Sequence, residues 1–235
     1  MSNDWLDKYE AKHNTPAKRE SDTKIISSSY SEIDAASGIG GFPLGKVIDI
    51  AGEPNIGKTC FAYDLVAYSQ MNNLACVWLD IDRNFDAEFA YKKQVINDDL
   101  LVFQPPKIEG IVPACLTLME QGLADIIIFD SISNLPLMAD GENIALKTVI
   151  NPLLQKLQEY KTSLIFLSQI RADLIEGGDT TPRNLALNDL CNMRLMFRFK
   201  QVIKHQEVVI GHKIEVDIYK KDLASPAKTE IELFI

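Results

Sequence analysis

Histidine is scarce, with three in 235 residues. Cysteine is little commoner: Cys60, Cys76, Cys115 and Cys191 lie far apart and form no Cys-x-x-Cys pair. These shortages argue against a His/Cys zinc site and leave free thiols in a reducing compartment as the simplest reading. No stretch approaches the roughly 20 consecutive apolar residues of a membrane-spanning helix. The opening MSNDWLDKYEAKHN places no apolar run behind a basic start, so a secretion signal is not expected. Positive charge is also in deficit: 24 Lys and Arg face 33 Asp and Glu, a net charge of −9. A chain so acidic does not coat nucleic acid by bulk charge, which leaves only a local basic surface open to it. The remaining composition, 46% hydrophobic and 24% charged, excludes a disordered or collagen-like chain. The length suits one large domain.

Residues 1–23 stand apart from the rest of the chain. Trp5, Leu6 and Tyr9 fall at helical spacing and predict a short helix from about Asn3 to Lys12. The polar, breaker-containing NTPAKRESD behind it reads as a linker. So short a helix is not stable alone. It packs on the core or on another molecule, or else it frays as a tail. Residues 24–235 read as the core. Apolar runs at Val47–Ile50, Ala75–Leu79, Leu100–Phe103, Ile126–Phe129 and Leu164–Leu167 alternate with helix-length segments near 58–72, 86–95, 109–121 and 143–160. This pattern predicts an α/β fold with a mainly parallel sheet covered on both faces. After residue 192 the texture changes to alternation over Met193–Lys200, Lys213–Tyr219 and Lys228–Ile235. These segments read as half-buried strands, antiparallel, that continue the sheet.

The sharpest signal is Gly52-Glu53-Pro54-Asn55-Ile56-Gly57-Lys58-Thr59, which fits G-x-x-x-x-G-K-[ST] between a strand and a helix. The glycines let backbone N–H groups turn inward around phosphate oxygens. Lys58 supplies charge to the β- and γ-phosphates, and the Thr59 hydroxyl suits Mg²⁺. The helix that starts there points its positive dipole end at the anion. Downstream, the apolar run Ile126–Phe129 ends in Asp130, placing a carboxylate where a Mg²⁺ shell needs one. Trp78-Leu79-Asp80-Ile81-Asp82 ends another strand in two carboxylates, which either orient an attacking water or sit in a solvated loop. Leu164–Gln169 ends in a polar amide able to sense a γ-phosphate. Strand ends gather because ligands bind at the carboxyl edge of a parallel sheet.

In this order, the residues resemble the RecA recombinase family over about 25–235. The match runs from Ser37-Gly38-Ile39-Gly40-Gly41-Phe42-Pro43-Leu44-Gly45 through the phosphate loop. It continues through Leu79-Asp80-Ile81-Asp82, Asp86-Ala87-Glu88-Phe89 and Asp130-Ser131 to Phe166-Leu167-Ser168-Gln169-Ile170-Arg171. The resemblance implies a RecA-like ATPase core that uses ATP and Mg²⁺, assembles as a homo-oligomeric filament or ring, and engages single-stranded DNA in the cytoplasm. It assigns nucleotide contact to Gly52, Glu53, Pro54, Asn55, Ile56, Gly57, Lys58, Thr59 and Cys60, and metal to Thr59 and Asp130. Asp82 stands where the family carries a water-activating glutamate. Asp86 and Phe89 match adenine-contacting positions, and Gln169 matches the γ-phosphate sensor. Lys220 and Lys221 match residues that reach a neighbouring subunit's nucleotide. The loops 170–188 and 136–147 match DNA-binding loops; Arg171 and Arg183 then hold phosphates and Leu174 and Ile175 wedge between base steps, or else 170–188 is an ordinary surface loop with two buried aliphatics. The 1–23 segment looks like a reduced subunit-docking element.

Departures from the pattern carry consequences. Asp82 is one methylene shorter than glutamate, which implies slower hydrolysis. Glu53-Pro54 inverts the family order. Arg183-Asn184 replaces a glycine pair, Asp222 stands near an intersubunit lysine position, and both loops are shortened. The chain stops where the core sheet ends, so a compact phage-type recombinase is expected. Arg194, Arg198 and Lys200 form either a basic stripe or the solvated side of a strand. The principal reading is an ATP-dependent recombinase acting on single-stranded DNA, with a single-strand-binding protein as a further partner. The competitors are a nucleotide-binding paralogue that regulates a partner recombinase, a hexameric helicase-type motor and, more distantly, a small-molecule kinase.

Overall fold

In the computed structural model, residues 24–134, 142–170, 190–220 and 226–235 are described. The chain runs β1 (Ile25–Ile26), α1 (Ser31–Ser37), β2 (Phe42–Pro43), β3 (Val47–Gly52), α2 (Lys58–Met71), β4 (Cys76–Asp80), α3 (Ala87–Lys92) and β5 (Leu100–Phe103). It continues through α4 (Ile111–Glu120), β6 (Ile126–Asp130), α5 (Glu142–Tyr160), β7 (Ser163–Gln169), β8 (Met193–His205), β9 (Val208–Lys220) and β10 (Ala227–Phe234). Eight strands form one sheet in the order β10-β9-β8-β3-β7-β6-β4-β5, while β1 and β2 form a separate antiparallel pair.

Period-two alternation sorts the side chains of the central strands onto two cores. Ile48 and Ile50, Cys76 and Trp78, Ile126 and Ile128, and Ile165 and Leu167 join the core beneath α1 and α2. Their neighbours Val47, Val77, Leu79, Ile127, Phe129, Leu164 and Phe166 join the core beneath α4 and α5. Both faces are thus apolar, and the strands read as continuous hydrophobic runs. Helix α2 is held by aromatic contacts: Phe61 lies 5.1 Å from Tyr30 and 5.3 Å from Phe197, and Tyr63 stacks 4.8 Å from Trp78. All four cysteines are free and buried.

The C-terminal strands differ from expectation in one respect. β8 runs parallel to β3 through Ile48↔Met193 to Gly52↔Phe197, and only its outer side is antiparallel, to β9. Its first half is therefore central to the sheet and buried on both faces, so Arg194 and Met196 are covered as well as Leu195 and Phe197. The Arg194, Arg198 and Lys200 face is not a free basic stripe. Arg194 is buried on Asp49, Arg198 pairs with Asp217 at 2.9 Å, and Lys200 lies 3.2 Å from Glu215 and 3.4 Å from Glu230. Lys228 and Lys213 extend this lattice to Glu215, Asp217 and Glu230. Arg194, Arg198, Lys200, Lys213 and Lys228 are thus each met by carboxylates of the same sheet.

Candidate nucleotide site

The carboxyl ends of β3, β7, β6 and β4 lie side by side and carry Gly52, Gln169, Asp130 and Asp80. Register pairs Gly52 with Gln169 and Asp80 with Asp130. β3 leads through α2 to β4 and so leaps over β7 and β6, which places a crevice at this edge.

The loop between β3 and α2 is set by its residue types. Asn55 takes φ 61° and Gly57 takes φ 105°. Asparagine tolerates the left-handed region, whereas at Gly57 a Cβ would also come within 2.7 Å of Leu233 Cδ1. Glu53, Pro54 and Asn55 are exposed, Ile56 is buried, and Gly57 N-caps α2. Lys58 curls over this loop: its Nζ donates to the carbonyls of Gly52 at 3.0 Å and Glu53 at 2.7 Å. Burial pulls the Lys58 ammonium down to about 8, against the pull of Asp130, Asp49 and Glu53. Cys60, expected at the nucleotide, turns its thiol away into the core and donates to the Phe234 carbonyl at 3.2 Å. Helical geometry directs the side chain off the loop while leaving the Cys60 backbone at the helix start.

Thr59 Oγ1 lies 3.4 Å from Asp130 Oδ2. These two hard oxygen donors fit Mg²⁺ held jointly by protein and phosphates, in preference to an all-protein cage. Among the described residues no cluster of three or more His, Cys, Asp or Glu offers such a cage. The positive-φ turn at Asn55 and Gly57, Lys58 and the start of α2 fit a polyphosphate. The site residues thus suit a nucleoside triphosphate with its metal.

Burial, followed by the like charges of Asp82 and Asp80, pushes the Asp130 carboxyl up to about 7. Between its ordinary 3.8 and about 7 the native state holds a proton that the unfolded chain has released. Stability of the metal-free protein is therefore expected to fall as pH rises through that window, and to level off above it. Thermal midpoints measured across the window should show this slope in wild type and a reduced one in Asp130→Asn. Equal slopes would refute the assignment.

Asp80 is fully buried and serves the loop behind it. Its carboxylate accepts from Asn84 N at 3.0 Å, Phe85 N at 3.2 Å and Gln104 Nε2 at 2.8 Å. Asp82 is partly exposed, and its Oδ1 accepts from Asn134 Nδ2 at 2.7 Å. Asp86 is spent locally: it N-caps α3 through Phe89 N at 2.9 Å. Phe89 is half-buried with its ring edge-on to Tyr63 at 5.8 Å. Gln169 ends β7, and its N–H donates to Ser133 Oγ at 2.8 Å. Ile170 N donates to the Gly52 carbonyl at 3.0 Å, the same oxygen that Lys58 uses. The structure therefore brings together Gly52–Thr59, Asp82, Asp130 and Gln169. Arg171, Leu174, Ile175, Arg183 and Lys221 lie outside the described residues, as do the Lys220 side chain, the 1–23 segment and 136–141 of the expected 136–147 loop, whose remainder begins α5.

Sequence reasoning missed the layer beneath the site. Asp49, wholly buried in β3, accepts from Ser168 Oγ at 2.7 Å and from Arg194 Nε at 2.6 Å. Burial pushes the Asp49 carboxyl up, while Arg194 and Ser168 pull it back. The available signal was an aspartate inside the apolar run Val47–Ile50, which demands a buried partner. Gln104, Ser133 and Asn134 carried no signal of comparable strength.

Comparison with known proteins places this geometry. A family model described as the RecA N-terminal domain matches residues 12–235. The chain is 29% identical to the protein RecA of Paramagnetospirillum magneticum over 221 residues, covering 88% of this chain and 62% of that protein. It is 30% identical to the protein RecA of Nitrobacter winogradskyi over 221 residues, covering 88% of this chain and 61% of that one. The chain spans about three fifths of the length of the relatives it matches. No helix among the described residues is long and apolar enough to cross a membrane.

Proposed function

The chain belongs to the RecA family, and from that premise we propose that it is an ATP-dependent DNA recombinase that assembles on single-stranded DNA and promotes pairing, strand exchange or annealing. The observation that carries this reading is the convergence of the Gly52–Thr59 loop, Asp130, Asp82 and Gln169 on one edge of the sheet. Bound Mg²⁺ supplies charge neutralisation at the transferred phosphoryl group. The Gly52–Gly57 backbone orients the phosphates, and Lys58 exchanges its carbonyl partners for phosphate oxygens. Thr59 and Asp130 would be the side chains that hold Mg²⁺. Asp82 orients the attacking water, with a shorter reach than a glutamate would have. Gln169 senses the γ-phosphate at the root of the 170–188 loop, through which Arg171, Leu174, Ile175 and Arg183 engage DNA. Asp86 and Phe89 border the adenine, and Lys220 and Lys221 reach the nucleotide of the next subunit. In this reading residues 1–23 dock adjacent subunits and 24–235 form the catalytic core.

A second reading, a nucleotide-binding paralogue that regulates a partner recombinase, draws support from the carboxylates that neutralise Arg194, Arg198 and Lys200. Two measurements on the purified protein separate the readings: phosphate release with and without single-stranded DNA, and negative-stain imaging with an ATP analogue. Filaments on DNA with DNA-stimulated hydrolysis are expected. Monomers without such stimulation would overturn the recombinase reading in favour of the regulator, and closed rings would favour a motor.

A further inference from the structure

One short turn, residues 131–134, touches both the β4 side and the β7 side of the site. On the β4 side, the Asp130 carbonyl just ahead of it accepts from Ile81 N at 2.8 Å and Asp82 N at 3.1 Å. Asn134 at its far end donates to Asp82 Oδ1 at 2.7 Å. Asp82 is therefore anchored through backbone and side chain to the same segment. On the β7 side, Ser133 Oγ accepts from Gln169 N at 2.8 Å. Two adjacent residues thus bind two elements 87 positions apart in the chain, Asp82 and Gln169.

We propose that Asn134 and Ser133 are positioning residues, with Asn134 fixing the plane of the Asp82 carboxylate and Ser133 fixing the backbone of Gln169, so that one turn sets the spacing between them. This rests on the hydrolytic reading above. A carboxylate that orients water does so through its lone pairs, whose directions follow the carboxylate plane. A single strong donor on Oδ1 fixes that plane and with it the direction in which Oδ2 faces. The need is greater here because Asp82 is short: an aspartate has one torsion fewer than glutamate with which to correct its aim. On the other side, a neutral hydroxyl accepting from Gln169 N satisfies a backbone donor where β7 leaves the sheet. The side-chain hydrogen bonds of both residues go to Asp82 and Gln169 and not to the phosphate loop, so their loss should spare binding and affect turnover.

The test uses the full chain. ATP hydrolysis with single-stranded DNA and MgATP affinity are measured for wild type, Asn134→Ala, Asn134→Asp and Ser133→Ala. Misaim of a catalytic group predicts a kcat loss of about ten- to hundredfold in Asn134→Ala, with MgATP affinity unchanged. The isosteric Asn134→Asp, which sets a like charge against Asp82, should lose at least as much without altering volume. In an Asp82→Asn background, Asn134→Ala should have no further effect, because the two act as one unit. Ser133→Ala should lower kcat and leave KM unchanged. Unchanged kcat in the Asn134 variants, or losses that multiply with Asp82→Asn, overturns the proposal alone. Absence of hydrolysis in wild type overturns the hydrolytic reading and this proposal with it.

Discussion

Lys58→Ala is expected to lower ATP turnover by at least about a hundredfold, because it removes a preorganised charge from the transferred phosphoryl group. The protein should stay folded. Among the described residues, Lys58 is buried with its Nζ on the carbonyls of Gly52 and Glu53, and burial already pulls its ammonium down to about 8. The native state thus carries this charge at a cost that phosphate oxygens would offset. Between about 8 and 10.5 the unfolded chain binds the proton that the native chain has released, so wild-type stability gains with pH there. An alanine variant lacks that gain and, near neutrality, lacks the buried charge as well. Its thermal midpoint near pH 7 should match or exceed wild type, while phosphate release collapses. A midpoint lowered together with activity would show that Lys58 holds the loop together structurally, and the loss of turnover would say nothing of phosphate.

The contrast between Lys58 and the residues beneath it shows what the sequence makes legible. Gly52–Thr59 is legible as a loop between β3 and α2 because the pattern is local: eight consecutive residues contain the glycine turn, the ammonium and the hydroxyl that the proposed function uses. Asp130 could be read because an apolar strand delivered it to the sheet edge. The strands β3, β4, β6 and β7 are legible because burial on both faces demands apolar runs. α1 was not, since Ser31–Ser37 buries only Ile33 and Ser37 and offers no apolar period. β8 was half legible. Its alternation identified a strand, but its parallel pairing with β3 depends on contacts about 145 residues apart. The same distance hid Arg194, whose exposed look in an alternating segment reflected a pattern with no knowledge of Asp49. Asn134 and Asp82 are 52 residues apart, and nothing in either neighbourhood specifies the other.

Asp49→Ala is expected to destabilise the fold by about 3–5 kcal/mol, the cost of breaking a buried ion pair by removing one member. Arg194 is the other member. It is 6% exposed, sits in the central half of β8, and its Nε and Nη2 both lie 2.6 Å from Asp49 Oδ2. Arg194→Ala should cost a similar amount, since it leaves the Asp49 carboxylate buried without the guanidinium. Ser168→Ala should cost about 1 kcal/mol, the net value of one hydrogen bond with the ion pair left intact. The decisive arm is the double replacement Asp49→Leu with Arg194→Met, which removes both charges and keeps apolar volume. It should recover most of the stability lost in either single variant. Denaturant midpoints for the four proteins measure this directly, and equal losses in the single and double variants would refute a role for paired charge. Position gives the pair a functional consequence. Asp49 lies three residues ahead of Gly52 in β3, and Ser168 precedes Gln169 in β7. Asp49 ties β3, which carries the Gly52–Thr59 loop, to β7 through Ser168 and to β8 through Arg194, so the double variant should fold yet show a lower MgATP affinity than wild type.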